Sequence, residues 1–419
     1  VAARAAQLPV PQQPVLKNAA RFSLIGSSPH RVDIPDKVDG SGHYGIDVRL
    51  PDMLYAAIKA CPTFGGRLRS LDDSAARGSP GYHATVTAPD AVIVVARSYW
   101  QARKALDLVK PDYDLAPLAQ LDSAAVSRRR RAGLQEPGES TRNDGDAPAA
   151  LARAASTIEA VYEAPYLAHA CMEPLNATAR VRPDGIEVWA PTQSPSNGQR
   201  ALAAMFGMRP DQVLVHTTLL GGGFGRRQEV DDVVYAALAS KACGGRPVKI
   251  IWSREEDMRH DFYRPMAAAR LRAGLDGSGV PVSLEMTVAA QSVAARTNPA
   301  ALRNGVDYIF ALTGLEDVKY EFAARRLQYS REDNAVPVGS LRSLGASFTA
   351  YFLECFMDEI AQAGGYSPLE LRRKLLAAHP RHLAVLDSVA EQLGWSRSAR
   401  RGRPPRPCVR QRRRLRLPA

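Results

Sequence analysis

The stretch 219-LLGGGFGRRQEVDD-232 constrains this chain most strongly. Three glycines, a phenylalanine, a fourth glycine and two arginines stand between two runs of opposite character. QVLVHTTLL before them is apolar and β-rich, which predicts a strand. EVDDVVYAALASKACGG after them carries Val230, Val233, Val234, Ala237 and Leu238 as a helical stripe, with Gly244 placed for the helix C-terminus. Strand, glycine loop, helix is the layout of an anion site, because free N–H groups point outward at a helix N-terminus. Arg226 and Arg227 could add bidentate donors. Two familiar motifs fail. A Walker A loop needs Lys followed by Ser or Thr, and a dinucleotide fingerprint needs glycine where Arg226 stands. Taken locally, the loop is either a cofactor cradle of another kind or a tight connection with surface arginines.

The rest of the chain predicts a mixed α+β protein. Residues 1–29 are rich in Ala, Pro and Gln and read as an arm. Residues 30–122 read as a small α/β domain, strand-like from Arg31, with Val86 to Val95 as strand and Trp100 to Leu108 as helix. Residues 123–150, with the run Arg128 to Arg131 and a Gly/Asp/Pro-rich end, read as a linker. Residues 151–395 read as a larger domain. Its strands are expected at TIEAVYEAP, RVRPDGIEVWAP, QVLVHTTLL and RPVKIIWS, and an antiparallel pair turns at Asp276-Gly277. Phe348, Phe352, Phe356 and Ile360 predict a helix, and Ser367-Pro-Leu-Glu370 a capping box that starts another.

Net charge narrows the partners. The total is +12. The tail 396–419 holds ten arginines and no acid, so the remaining residues carry +2. The tail reads as disordered, of the kind that out-of-frame translation of GC-rich DNA yields. Nucleic-acid binding is not expected of the run Arg128 to Arg131, because no aromatic residues interleave with it, and a binder acting through the tail is left as a third reading. The apolar runs Ala91 to Ala96 and Val233 to Ala239 are too short to span a bilayer. Cys61, Cys171, Cys243, Cys355 and Cys408 form no CxxC pair, so buried free thiols are expected. His169 and Glu173 lack the HExxH spacing of a zinc helix and read as structural, with Glu173 bonded to backbone N–H groups. No residue is assigned as a metal ligand.

Six segments stand in a particular order: PYLAHACMEP (165–174), WAPTQS (189–194), GGGFGRR (221–227), PVKIIWSREED (247–257), HDFYRP (260–265) and LRSLG (341–345) before FLECFMDEIA. From about Phe22 to Trp395 the chain resembles the molybdopterin-binding large subunit of the xanthine dehydrogenase and aldehyde oxidase family. It looks closest to the isoquinoline 1-oxidoreductase beta-subunit type. The resemblance implies that residues 30–122 are a hammerhead-like domain and that 151–395 are the first half of a molybdopterin-binding domain. Gly222, Gly223, Phe224 and Gly225 would border the molybdenum, which the pterin dithiolene holds, so the protein supplies hydrogen bonds and shape. Gln193 would donate to an apical oxygen. Arg342 would stabilise developing charge near substrate, Arg226 would help hold cofactor, and Gln228 would touch substrate.

The implied reaction oxidises an N-heterocycle or an aldehyde with water as oxygen donor. The implied cofactor is the cytosine dinucleotide form of molybdopterin, with iron–sulfur clusters only on a small 2Fe–2S partner subunit and a cytochrome c as a possible acceptor. Near relatives are often periplasmic, although no signal peptide is visible here and the cytoplasm stays open. Family members continue for several hundred residues and carry a glutamate general base in a Gly-Glu motif that is absent from this text. The expectation is therefore a truncated or frameshifted subunit, inactive alone. The rival expectation is a non-catalytic protein that binds an anionic ligand at the glycine loop.

Overall fold

The computed structural model describes residues 1–115 and 121–395. The basic tail, Cys408 and its predicted disorder lie outside these residues. The chain forms two compact units, Val1–His43 and Tyr44–Ala419. In the first, Ala2–Ala5, Ala19–Arg21 and Ile34–Val38 are short helical turns with no buried residue. The strand expected from Arg31 is thus helical over Ile34–Val38. Proline in the first turn fixes a helical φ, and the Asp33 carboxylate accepts from both Arg31 and Lys37.

The second unit is built on two large sheets. Strands β1 (Leu54–Ala60), β2 (Arg67–Asp72), β3 (Tyr82–Thr87), β4 (Ala91–Ala96) and β5 (Lys110–Asp114) come first. They are followed by β6 (Glu139–Asp144), β7 (Ser156–Ala164), β8 (Asn176–Arg182), β9 (Gly185–Ala190) and β10 (Val213–Thr217). The last are β11 (Val248–Ile251), β12 (Ala267–Leu275), β13 (Pro281–Ala290) and β14 (Ala324–Arg331). One sheet runs β10-β9-β8-β11-β1-β4-β3, the other β6-β14-β13-β12-β7, and β2 pairs with β5 alone.

The first sheet joins strands from both expected domains, because β1 pairs in parallel with β11 some 190 residues later in the chain. No sheet boundary therefore falls at residues 122 or 151. Nor are 123–150 a linker. Ser123–Gly133 and Ala147–Ala152 are helices that lie on β12 and β13, and β6 pairs with β14. Residues Val86 to Val95 are a hairpin, not one strand: Ala88-Pro89-Asp90 separates β3 from β4, since proline cannot continue the ladder.

Each sheet buries one face under helices by ordinary periodicity. The helices Pro195–Phe206 and Asp231–Ala242 cover the first through Leu202, Ala203, Val233, Ala236 and Ala237. Ala346–Ala363 lays Phe348, Phe352, Phe356 and Ile360 on the second, against Leu271, Leu284 and Met286. Ser367 caps Pro368–Leu375 in a reciprocal box with Glu370. The helix Asp231–Ala242 buries a face displaced from the expected stripe: Asp232, Ala239 and Ser240 are buried, whereas Val230, Val234 and Leu238 are only half-buried.

Candidate functional site

Strands β9 and β10 are parallel, and both run out at one edge of the first sheet, at Ala190 and Thr217. Strand β11 ends at the same edge, where Ile251 pairs with Asn176 at the start of β8. Carboxyl ends of strands are where open sheets collect binding loops. Here the edge collects residues 165–175, 191–194, 218–230 and 252–266, and 338–345 join them.

The glycine loop is strapped from behind by two buried ion-pair networks. Glu173 accepts from the backbone N–H of Ile46 (3.0 Å) and of Gly221 (2.9 Å), and from Asn176 Nδ2 (2.9 Å). Arg227 Nη2 reaches the same carboxylate at 3.3 Å, while Arg227 Nε donates to Gly222 O at 2.9 Å. The second network is centred on Asp261. It accepts from the His169 backbone N–H (2.6 Å), from the His169 ring (3.0 Å), and from Phe262 N (2.7 Å). Arg226 Nε lies 3.0 Å from it, and the same guanidinium grips Asp231 at 2.6–2.9 Å and stacks on Phe262.

Both arginines are therefore inside: Arg226 is 2% and Arg227 1% exposed. The expectation that Arg226 holds cofactor is corrected, because its guanidinium is already committed to Asp231 and Asp261. They are not surface arginines either. Their charge lets a glycine-rich backbone be held from within, where paired guanidinium groups satisfy carboxylates and carbonyls together. Carboxylates balance them. Burial, reinforced by Asp231, pushes the Asp232 carboxyl up to about 7. Asp231 acts by like-charge repulsion. Burial also raises Asp257, against the pull of Arg254.

His169 and Glu173 are fully engaged in this way, which leaves neither free to bind a metal. Among the described residues no group of three His, Cys, Asp or Glu side chains is placed to hold one. The expectation of backbone partners for Glu173 matches its bonds to Ile46 and Gly221.

The front of the loop faces outward. Phe224 is 44% exposed and has φ +54°, while Gly222 and Gly225 have φ of +104° and +107°. A Cβ on Gly225 would lie 1.6 Å from Ser340 O. That carbonyl also meets His169 Nε2 at 2.8 Å, so 338–345 press directly on the loop. The Arg342 N–H donates to Phe224 O at 2.9 Å, and Gln193 Oε1 accepts from Gly225 N at 2.9 Å. Ala170, Phe224, Ser343 and Leu344 are non-glycine residues at positive φ, and all belong to these converging segments. Such conformations cost about 1–3 kcal/mol each and gather where function requires them.

The structure thus brings Gln193, Gly222, Gly223, Phe224, Gly225 and Arg342 together. Gln228 is exposed at the end of the same loop. The Gln193 Nε2 group and the Arg342 guanidinium have no partner among the described residues. Lys249 and Asp261 were not singled out from sequence. Lys249 is fully buried and bonds Ile46 O and Val48 O at 2.6 and 2.5 Å, and burial brings its ammonium down to about 8. A lysine in the apolar run PVKIIW was the available signal.

The fold is that of molybdenum hydroxylase large subunits. It superposes on quinoline 2-oxidoreductase of Pseudomonas putida 86 with a TM-score of 0.67 at 20% identity, covering 88% of this chain and 54% of that one. For the aldehyde oxidoreductase of Desulfovibrio gigas the TM-score is 0.63 at 20% identity, covering 81% and 42%. The sequence pattern of the molybdopterin cofactor-binding domain matches residues 134–376, and the chain belongs to that family. It is 33% identical over 401 residues to the beta subunit of isoquinoline 1-oxidoreductase from Brevundimonas diminuta, covering 91% of this chain and 50% of that protein. It is 32% identical over 416 residues to the membrane-bound aldehyde dehydrogenase [pyrroloquinoline-quinone] of Gluconacetobacter polyoxogenes, covering 92% and 54%. The chain spans about half the length of these curated relatives. No helix among the described residues is long and apolar enough to cross a membrane.

Proposed function

We propose that this chain forms one wall of the molybdopterin site in the large subunit of a molybdenum hydroxylase that oxidises an aldehyde or an N-heterocycle. The observation that carries the reading is the outward face of the loop. Glycine main chain and one exposed aromatic ring meet the exposed Gln193 and Arg342, whose amide nitrogen and guanidinium have no partner among the described residues, and the loop that joins them is held from behind by buried ion pairs. These donors suit a large anionic cofactor whose metal takes its ligands from the pterin. Gln193 Nε2 and the backbone of Gly222 to Gly225 would hold it, and Arg342 would balance charge at its outer edge. When bound, the cofactor supplies the two-electron redox centre for a hydroxylation that uses oxygen from water. Phe224 would shield that centre, and Gln228 would meet substrate. In this reading the cofactor is the cytosine dinucleotide form. Electrons leave through a 2Fe–2S partner subunit, and the assembly is periplasmic.

The test is molybdenum and pterin content of the purified chain, alone and with a 2Fe–2S partner. Dye-linked oxidation of isoquinoline and of an aldehyde is followed in parallel. Retention of pterin that falls at least tenfold in Gln193→Ala supports the reading. Absence of pterin and molybdenum in both preparations would sink it. A bound nucleotide or pterin without turnover in either preparation would favour a non-catalytic binding protein.

A further inference from the structure

The outer face of the second sheet carries charge where a sheet covered by helices ordinarily carries apolar residues. Strand register arranges that charge in two rows. Arg272, Glu285 and Arg326 face one another across β12, β13 and β14, and Arg270, Thr287 and Gln328 form the next row. The helix Ala147–Ala152 lies beside these rows, and a cavity of about 510 Å³ is left between it and the sheet. Pro148, Leu151 and Ala152 make one apolar wall.

The ion pairs in the rows do not close. Arg272 takes both nearby carboxylates, Glu159 at 3.2 Å and Glu285 at 3.2 Å. Among the described residues the Arg270 side chain donates only to the neutral Gln135 Oε1, at 2.9 Å. The Arg326 side chain has no hydrogen-bond or ion-pair partner among the described residues, although the residue is half-buried. Two guanidinium groups without a carboxylate therefore stand diagonally across β13, with the nearly buried Thr287 between them. Both arginines stand one strand away from β13, on opposite sides of it, and both line the same cavity, so their long side chains can close on one small group above Thr287. Like charges held together in a partly desolvated trough repel, and a bound anion relieves that repulsion.

We propose that this trough is a second binding site, for a small organic carboxylate. Arg270 and Arg326 take the carboxylate in forked hydrogen bonds, and the carbon body rests on Pro148, Leu151 and Ala152. The apolar wall is the reason for an organic anion rather than a bare inorganic one.

Titration calorimetry of the full chain with benzoate at low ionic strength tests this, with inorganic phosphate as the second ligand. One benzoate per chain is expected, bound more tightly than phosphate. Arg326→Gln and Arg270→Gln are each expected to weaken it by about tenfold, as for loss of a charge-assisted pair. Glu285→Gln removes the carboxylate that lines the trough and leaves Arg272 with Glu159 alone, and it is expected to tighten binding severalfold, a gain that misfolding cannot produce. Three results would overturn the proposal: no saturable benzoate binding, an affinity indifferent to the arginine substitutions, or phosphate bound as tightly as benzoate.

Discussion

Gly225 shows how tightly single residues are specified at this site. Its φ of +107° disfavours any side chain, and a Cβ would meet Ser340 O at 1.6 Å, a backbone atom that cannot rotate away. Gly225→Ala is expected to lower unfolding free energy by about 3–5 kcal/mol, the range for severe backbone and packing conflict. Gly277→Ala is the control: nothing lies within 4 Å of its Cβ, so a change below about 1 kcal/mol is expected in the same urea titration. Asp232 gives a prediction in pH. Burial, then Asp231, lifts its folded pKa to about 7, above the ordinary 3.8. Between these values the native state holds a proton that the unfolded chain has lost, so stability falls as pH rises. Asp232→Asn removes this slope. Urea midpoints of the wild type should therefore drop relative to the variant between about pH 4 and pH 7, and a flat difference across that window would contradict the assignment.

At the scale of elements, legibility followed locality. The helix Ala346–Ala363, the capping box at Ser367 and the turn at Asp276-Gly277 were visible because their signals lie within a few residues. Phe352 belongs to this class. It is fully buried against the second sheet, and Phe352→Ala is expected to cost about 3–5 kcal/mol by cavity formation, read from the urea midpoint. Residues 123–150 were illegible for the opposite reason. β6 is the polar sequence ESTRND, an edge strand that exists only because β14 supplies hydrogen bonds some 180 residues later. The helix Ser123–Gly133 buries Val126 but also Arg130, which a composition argument places in solvent. The helix Pro380–Gln392 spaces Leu383, Leu386 and Ala390 at helical intervals, so its signal is local too, although only Ala390 is buried. In the site, the loop was legible as backbone chemistry. Arg226 is gripped by Asp231 five residues on, but its place beside Asp261 joins residues 35 positions apart, which no local pattern connects.

At the scale of the molecule, the site is a junction of distant segments, so its rigidity is a property of the whole second unit. Glu173 is the clearest junction. Its two oxygens join Ile46, Asn176, Gly221 and Arg227, which draws residues 127 positions apart in sequence to the back of one loop. All of these partners are donors, so the position requires an acceptor at both oxygens. Glu173→Gln would turn an NH₂ group toward an N–H and leave Arg227 buried without its counter-charge. A loss of about 3–5 kcal/mol is expected for such a broken buried pair. Simple loss of packing is separable from this. In the Glu173→Gln background, Arg227→Met removes the stranded charge, and about 1–3 kcal/mol should return if the two act as a pair. Limited proteolysis provides the local readout: cleavage within 219–225 should rise sharply in Glu173→Gln and fall again in the double variant. Equal cleavage in all three proteins would mean that the glycine loop is held by some other means.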